Sequence, residues 1–311
     1  MLFCDMNPAL TQTLADPNDG ASLELHAFEG DDSDAREGVL LNASSGRWFP
    51  IRDGIPSLFV DALRVGGMAE DDAIFAARFE KPMREAGCRL EETTAAGAHA
   101  DFARIESERR ARDEQAEDYD KMFSLRAYEK IETPVYRRAL SRDVPSDANL
   151  PLLEAGCGTG RFTALFASLA ASVTAIDMSR DSILRNRVRH AGRTASPVHY
   201  IHADLTHLPL QNALFGAVAH CGVYEHIPSR AMRQQFLEHA RRVMAPDGVL
   251  LLSAYRYGGL TKIFEKEGEH DGGIPFTRFT ESELRGEVEP FFQIEKFRPS
   301  LGVYMSMLLA K

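Results

Sequence analysis

The sequence predicts an α/β protein: a mostly parallel sheet with helices on both faces, preceded by a small N-terminal α+β module and a helical connector. Three observations carry this prediction. From residue 149 onward, short apolar runs alternate with helix-length stretches, the pattern of parallel strands joined by helical crossovers. One strand-to-helix junction, Glu154-Ala-Gly156-Cys157-Gly158-Thr-Gly160, is dense in glycine, as a turn above a ligand-binding strand end must be. Residues 66–145 lack the alternation and are dominated by Arg, Glu and Ala, all strong helix formers.

The chain has 311 residues, 44% hydrophobic and 26% charged, enough for one sizeable α/β domain and one or two smaller modules. Its formal net charge of -10 at pH 7 repels phosphate backbones, which makes nucleic acid a poor default partner. Cys4, Cys88, Cys157 and Cys221 make no close CxxC pair, and no secretory leader opens the sequence. No run reaches the ~18 apolar residues that span a bilayer. The expectation is a cytoplasmic protein with free thiols and no membrane partner, for which a homodimer is an allowed assembly.

Taken in order, residues 1–65 are rich in turns. Gly, Asp, Ser and Pro are dense over 16–46, with strand-like pieces at 21–28 and 38–42, and Asp53-Gly54 between apolar runs is a turn signal. Residues 66–145 read as two or three helices. The run from Ser107 to Asp120 interleaves charges of both signs, which suits a solvated helix face or a lid helix over a pocket in the next domain. Residues 146–311 form the α/β domain. Strands are expected at 150–155, 172–176, 198–202, 213–220, 248–254, 291–298 and 303–310. Helices are expected at 161–171, 179–190, 229–244 and 280–287, the last opened by a capping box in Thr280-Glu-Ser-Glu283.

Chemistry concentrates at the strand ends. A dinucleotide loop reads GxGxxG and offers a helix N-terminus to a pyrophosphate. This loop reads GxGxG with Glu154 before its first glycine. A carboxylate there opposes pyrophosphate and suits a cationic amino group, such as that of S-adenosylmethionine. Asp177 closes the next strand, where a carboxylate can accept from ribose hydroxyls or cap a helix. Asp204 follows the third strand, where it can accept from an adenine amine or simply shape a turn. The three fall in order at consecutive strand ends.

Together the segments EAGCGTGRF, TAIDMS, HADLTHLPL and VYEHIPS resemble the class I S-adenosylmethionine-dependent methyltransferases, in the branch with small-molecule substrates. The resemblance implies a Rossmann-like, seven-stranded sheet with one antiparallel strand. It places Glu154, Gly156, Cys157, Gly158 and Gly160 against the methionine part of the cofactor. It also places Asp177 on the ribose, Met178 beside the adenine, Asp204 and Leu205 at the adenine edge, and His220, Cys221 and Gly222 along the wall near the reactive methyl. One departure is Phe215-Gly216 where Phe-Asp is usual, expected to change packing only.

Methyl transfer from a sulfonium needs alignment and exclusion of water more than acid–base chemistry. A base is needed only for an acceptor that arrives protonated. His226 is the leading candidate and His220 the second, since imidazole titrates near neutrality; each can equally brace the structure. Some relatives hold a divalent metal with Glu-x-x-Glu-His; here Gly222 replaces the first Glu, leaving Glu225 and His226, and no catalytic metal is expected. The stretch GRWFPIRDGIPSLF is similar to the end of small zinc-ribbon subunits that activate tRNA, rRNA and release-factor methyltransferases. With Cys4, Asn7, Asn42 and Ser45 at the thiolate positions, structural zinc is not expected.

The function expected is methyl transfer to a small-molecule acceptor, most often at a hydroxyl. Phe102, Tyr119, Phe123, Tyr128, Phe264, Phe276 and Phe279 suggest an apolar or aromatic one. The rivals are an RNA- or protein-modifying methyltransferase and a cofactor-binding protein without catalysis.

Overall fold

The structure, a computed structural model, describes residues 6, 8–31, 33–90, 100–119, 123–143, 150–270, 272–302 and 304–311. Cys4 and Asn7, and the side chains of Phe102, Tyr119, Phe123 and Tyr128, lie outside what is described.

The N-terminal part contains α1 (Pro8–Thr11), β1 (Glu24–Asp31), β2 (Asp34–Asn42), β3 (Arg47–Arg52), β4 (Ile55–Leu58) and α2 (Asp61–Leu63). Asp53 and Gly54 both have positive φ, 51° and 74°, the geometry of the tight turn joining β3 to β4. Helices α3 (Ala69–Arg78), α4 (Glu80–Ala86), α5 (Ala100–Tyr119) and α6 (Phe123–Asp143) follow.

The remainder alternates as β5 (Leu152–Ala155), α7 (Thr163–Ala167), β6 (Val173–Asp177), α8 (Arg180–His190), β7 (Val198–Ala203), β8 (Phe215–Cys221), α9 (Arg230–Val243) and β9 (Met244–Tyr255). A hairpin, β10 (Glu267–His270) and β11 (Ile274–Thr277), precedes α10 (Glu281–Val288), β12 (Ile294–Leu301) and β13 (Met305–Ala310). No pattern of residues marks that hairpin in advance. Its strands are short, and Glu267-Gly-Glu-His270 has no apolar alternation. The helix expected at 161–171 shortens to α7, because Arg161 and Phe162 belong to the ligand loop. Thr280 caps α10 with the expected box, its hydroxyl accepting from the Glu283 N–H.

Among the described residues the main sheet has eleven strands, in the order β1-β2-β3-β4-β7-β6-β5-β8-β9-β13-β12, seven of them from residues 152–310 and four from the N-terminal part. Strand β4 pairs in parallel with β7, Ser57 opposite His202 and Leu58 opposite Ala203. The antiparallel ribbon β1–β4 therefore continues the sheet at an edge that would otherwise be open. β13 runs antiparallel to β9 and β12. Burial follows: Met6, Leu14, Phe49, Leu58 and Phe59 share one apolar cluster with Ile201, Leu205, Phe236 and Leu252.

Asn42 is buried. Its amide donates to Asp16 at 2.8 Å, while Arg47 reaches Asp16 at 2.7 Å and Asp61 at 3.0 Å. A guanidinium thus ties the turn to the sheet. Gly216 has a steric explanation: a Cβ there would lie 2.8 Å from the Leu150 Cβ, so β8 can approach the preceding chain only without a side chain.

Candidate functional site

Strands β5, β6, β7 and β8 are parallel neighbours and end on the same side. Their ends open into a cavity. Gly156, Gly158 and Gly160 all adopt positive φ, 83°, 49° and 90°, which turns the chain sharply off β5. A Cβ on Gly156 would lie 2.6 Å from Val223 Cγ2, so that glycine is needed for clearance as well as for its backbone angle. The N–H groups of Gly156 and Cys157 donate to the Ile176 carbonyl at 2.8 and 2.9 Å. This locks the loop against the end of β6.

Glu154, Gly156, Cys157, Gly158, Asp177, Met178, Asp204, Leu205, Cys221 and His226 all line this cavity. Two of the residues expected at the site stand apart. The Gly160 carbonyl faces the His190 imidazole at 2.8 Å, and a Cβ on Gly160 would collide with Asn186 Oδ1 at 2.4 Å. His220 lies behind the wall: its Nδ1 faces the Ala155 carbonyl at 2.8 Å and its ring packs 4.1 Å from that of Phe236. Burial holds His220 neutral, its pKa lowered to about 4. It is not brought to the cavity, and no base role is assigned to it.

The acids of the cavity are unusual. Glu154 is buried, accepts from the Thr163 hydroxyl at 2.7 Å, and is pushed up to about 8 by burial. Asp177 accepts from the Gly158 N–H at 2.7 Å and the Ser179 N–H at 2.9 Å. Burial nevertheless raises its pKa above the usual carboxylate range. Ser179, not Asp177, caps α8. Asp204 accepts from the Thr206 hydroxyl and lies 3.1 Å from His207 Nδ1. Burial drives His226 well below the normal imidazole range, and its Nδ1 faces the Pro275 carbonyl at 2.8 Å.

The charged run read from the sequence as either a solvated face or a lid helix lies in α5, and the sequence singled out none of its cavity-facing residues. Ile105, Glu108, Arg112, Gln115 and Ala116 of α5 also line the cavity. They fall at spacings of three and four residues, on one helix face. That face mixes Ile and Ala with Glu, Arg and Gln, so no apolar stripe betrays it. Glu108 pairs with Arg112 at 3.4 Å and is pushed up to about 7, mainly by burial. Asp113 anchors α5 to the start of α8 through the Ser179 hydroxyl at 2.7 Å. Around the cavity four acids, Glu108, Glu154, Asp177 and Asp204, face two guanidinium groups, Arg112 and Arg161. The balance favours a cationic ligand, and the apolar walls from Cys157, Leu205 and Val223 suit one with an apolar body. S-adenosylmethionine, with its ammonium and sulfonium, fits this donor set. Among the described residues no cluster of His, Cys, Asp and Glu could hold a metal ion, and no helix is long and apolar enough to cross a membrane.

A family model described as a methyltransferase domain matches residues 153–252. The chain is similar to a malonyl-(acyl-carrier protein) O-methyltransferase of Buchnera aphidicola, 30% identical over 118 residues, 36% of this chain and 42% of that protein. It is similar to a probable S-adenosylmethionine-dependent methyltransferase of Mycolicibacterium smegmatis, 31% identical over 131 residues, 42% of this chain and 45% of that protein. The matched stretches thus span less than half of each relative's length. Among solved structures, the 1,6-didemethyltoxoflavin-N1-methyltransferase of Burkholderia thailandensis, with S-adenosylhomocysteine bound, superposes with a TM-score of 0.56 at 19% identity. The superposition covers 70% of this chain and 93% of that one, a likeness of fold. Residues 153–252 thus match a methyltransferase domain, and the proteins they are similar to include S-adenosylmethionine-dependent methyltransferases.

Proposed function

We propose that this protein transfers the methyl group of S-adenosylmethionine to a hydroxyl of a small, apolar or aromatic acceptor by in-line displacement. The observation that supports this most is the acid-lined cavity at the ends of β5, β6 and β7, where Glu154, Asp177 and Asp204 face one space. In this reading Glu154 meets the ammonium and Gly156, Cys157 and Gly158 cradle the amino-acid part. Asp177 takes the ribose, Met178 flanks the base, and Asp204 and Leu205 read its edge. The cofactor supplies a methyl group already activated by a positive sulfur. The protein's own share is alignment, worth as much as ~7–11 kcal/mol of barrier, and exclusion of water.

Cys221, Gly222 and His226 line the acceptor end. Aromatic rings continue from there: His226 to Tyr255 at 5.6 Å, and Tyr255 to Phe276 at 6.3 Å between centroids. The test has two steps. Isothermal titration calorimetry with S-adenosylhomocysteine should saturate, and no saturation at millimolar levels would overturn the cofactor assignment. Labelled cofactor with candidate metabolite pools, read by mass spectrometry, should then yield a methylated small molecule. Labelled RNA or protein in its place would overturn the acceptor class.

A further inference from the structure

Beside the acceptor end lie polar atoms with nothing to bond. Glu225 sits in the short turn after β8, 1% exposed, and among the described residues neither of its carboxyl oxygens has a hydrogen-bond partner. Glu132 of α6, also 1% exposed, leaves its Oε2 without a hydrogen bond, although Arg161 Nη2 is 3.3 Å away. Burying a carboxyl such as that of Glu225 without a hydrogen bond is unfavourable, and a ligand group that reached it would relieve that cost.

Gly222 brings the cavity wall close to Glu225. A Cβ there would lie 3.3 Å from Arg161 Nη2 and 4.0 Å from Glu225 Oε1. Gly222 and Arg161 both line the cavity. Gly222 contributes no side chain to the space beside the Glu225 carboxyl, which lies just behind the cavity wall.

Resting on the methyl-transfer reading, we propose that the acceptor bears an O–H or N–H at its reacting atom and that Glu225, backed by Glu132, receives first that hydrogen bond and then the proton. In the step, the acceptor's lone pair forms the bond to the methyl carbon. The sulfur–carbon bond breaks with its electron pair going to sulfur, and the acceptor's proton passes to the Glu225 carboxylate. Glu225 is the better proton acceptor than His226. Burial raises its carboxyl to about 8, in the range a general base needs, whereas burial depresses the His226 ring. Arg112 of α5, Arg161 of the loop and Glu132 of α6 are the charged groups facing Glu225.

The probe is sinefungin, a cofactor analogue in which an amine-bearing carbon replaces the sulfonium and its methyl, compared with S-adenosylhomocysteine, which lacks any group there. Titration calorimetry of the wild-type protein at pH 8 should show sinefungin binding at least tenfold tighter. Equal affinities would overturn the proposal. Glu225→Gln should shrink that gap below threefold while S-adenosylhomocysteine affinity stays within about twofold. A gap unchanged in the variant would overturn it, as would equal loss of both ligands by a folded variant. If the variant does not fold, the wild-type gap decides alone. Absence of S-adenosylhomocysteine binding to the wild type would instead sink the underlying cofactor reading.

Discussion

Asp177 holds the glycine loop through the Gly158 N–H and the start of α8 through the Ser179 N–H, while still facing the cavity. Asp177→Ala should therefore weaken S-adenosylhomocysteine at least tenfold by calorimetry, about 1.4 kcal/mol. Unchanged affinity would remove it from the ribose. Glu154 gives a pH signature. Its carboxyl, pushed up to about 8, is mostly neutral at pH 6.5, and a cationic ligand prefers it ionised. Affinity for S-adenosylmethionine should thus rise with pH, by at most about tenfold per unit for one proton released, and level off above 8. Titrations in buffers of different ionisation enthalpy would detect that proton. Glu154→Gln should flatten the slope; a flat wild-type profile would take Glu154 off the ammonium.

At the scale of elements, β8 and the loop after β5 owe their shape to glycines, Gly216 and Gly156 by close approach and Gly156, Gly158 and Gly160 by positive φ. Gly216→Asp, the residue usual in relatives, should destabilise the fold by about 1–3 kcal/mol, because its Cβ would press on Leu150. The urea midpoint measures this, and an unchanged midpoint would show that the 150 region gives way. The same scale separates what could be read from what could not. Alternating apolar runs located β5 to β9, and Ser229 and Thr280 marked the starts of α9 and α10 through their caps. The cavity-facing side of α5 was hidden because polar residues occupy it, and hydrophobic periodicity reports burial against a core, not against a ligand. The β10–β11 hairpin was hidden because four-residue strands carry too few alternations to register.

For the whole molecule, strands β1 to β4, within residues 24–58, are part of the sheet that carries the site. Ser57 pairs with β7, and its hydroxyl meets His202 Nδ1 at 2.9 Å. His202 Nε2 donates to the Met178 carbonyl at 3.0 Å; since a carbonyl only accepts, the ring proton sits there and Ser57 donates to Nδ1. A neutral imidazole, its pKa held near 3 by burial, thus links β4 to the residue assigned to the adenine. Removing residues 1–65 should open the β7 edge and uncover Ile201 and Leu205. Circular-dichroism melts of 66–311 should then lose the cooperative transition shown by the full chain. A truncated chain that melts as sharply and as high would mean that the ribbon contributes little to the sheet.

The sequence by itself determined the α/β alternation from residue 149, the glycine loop and the acids at three strand ends, because these rest on local periodicity and backbone conformation. The tertiary structure alone decided that β4 joins β7, that α5 roofs the cavity, that His220 faces away from it and that Glu225 is buried near Arg112, Arg161 and Glu132 with no hydrogen bond to its carboxyl among the described residues. Those outcomes depend on contacts between residues tens to more than a hundred positions apart, which no local pattern encodes.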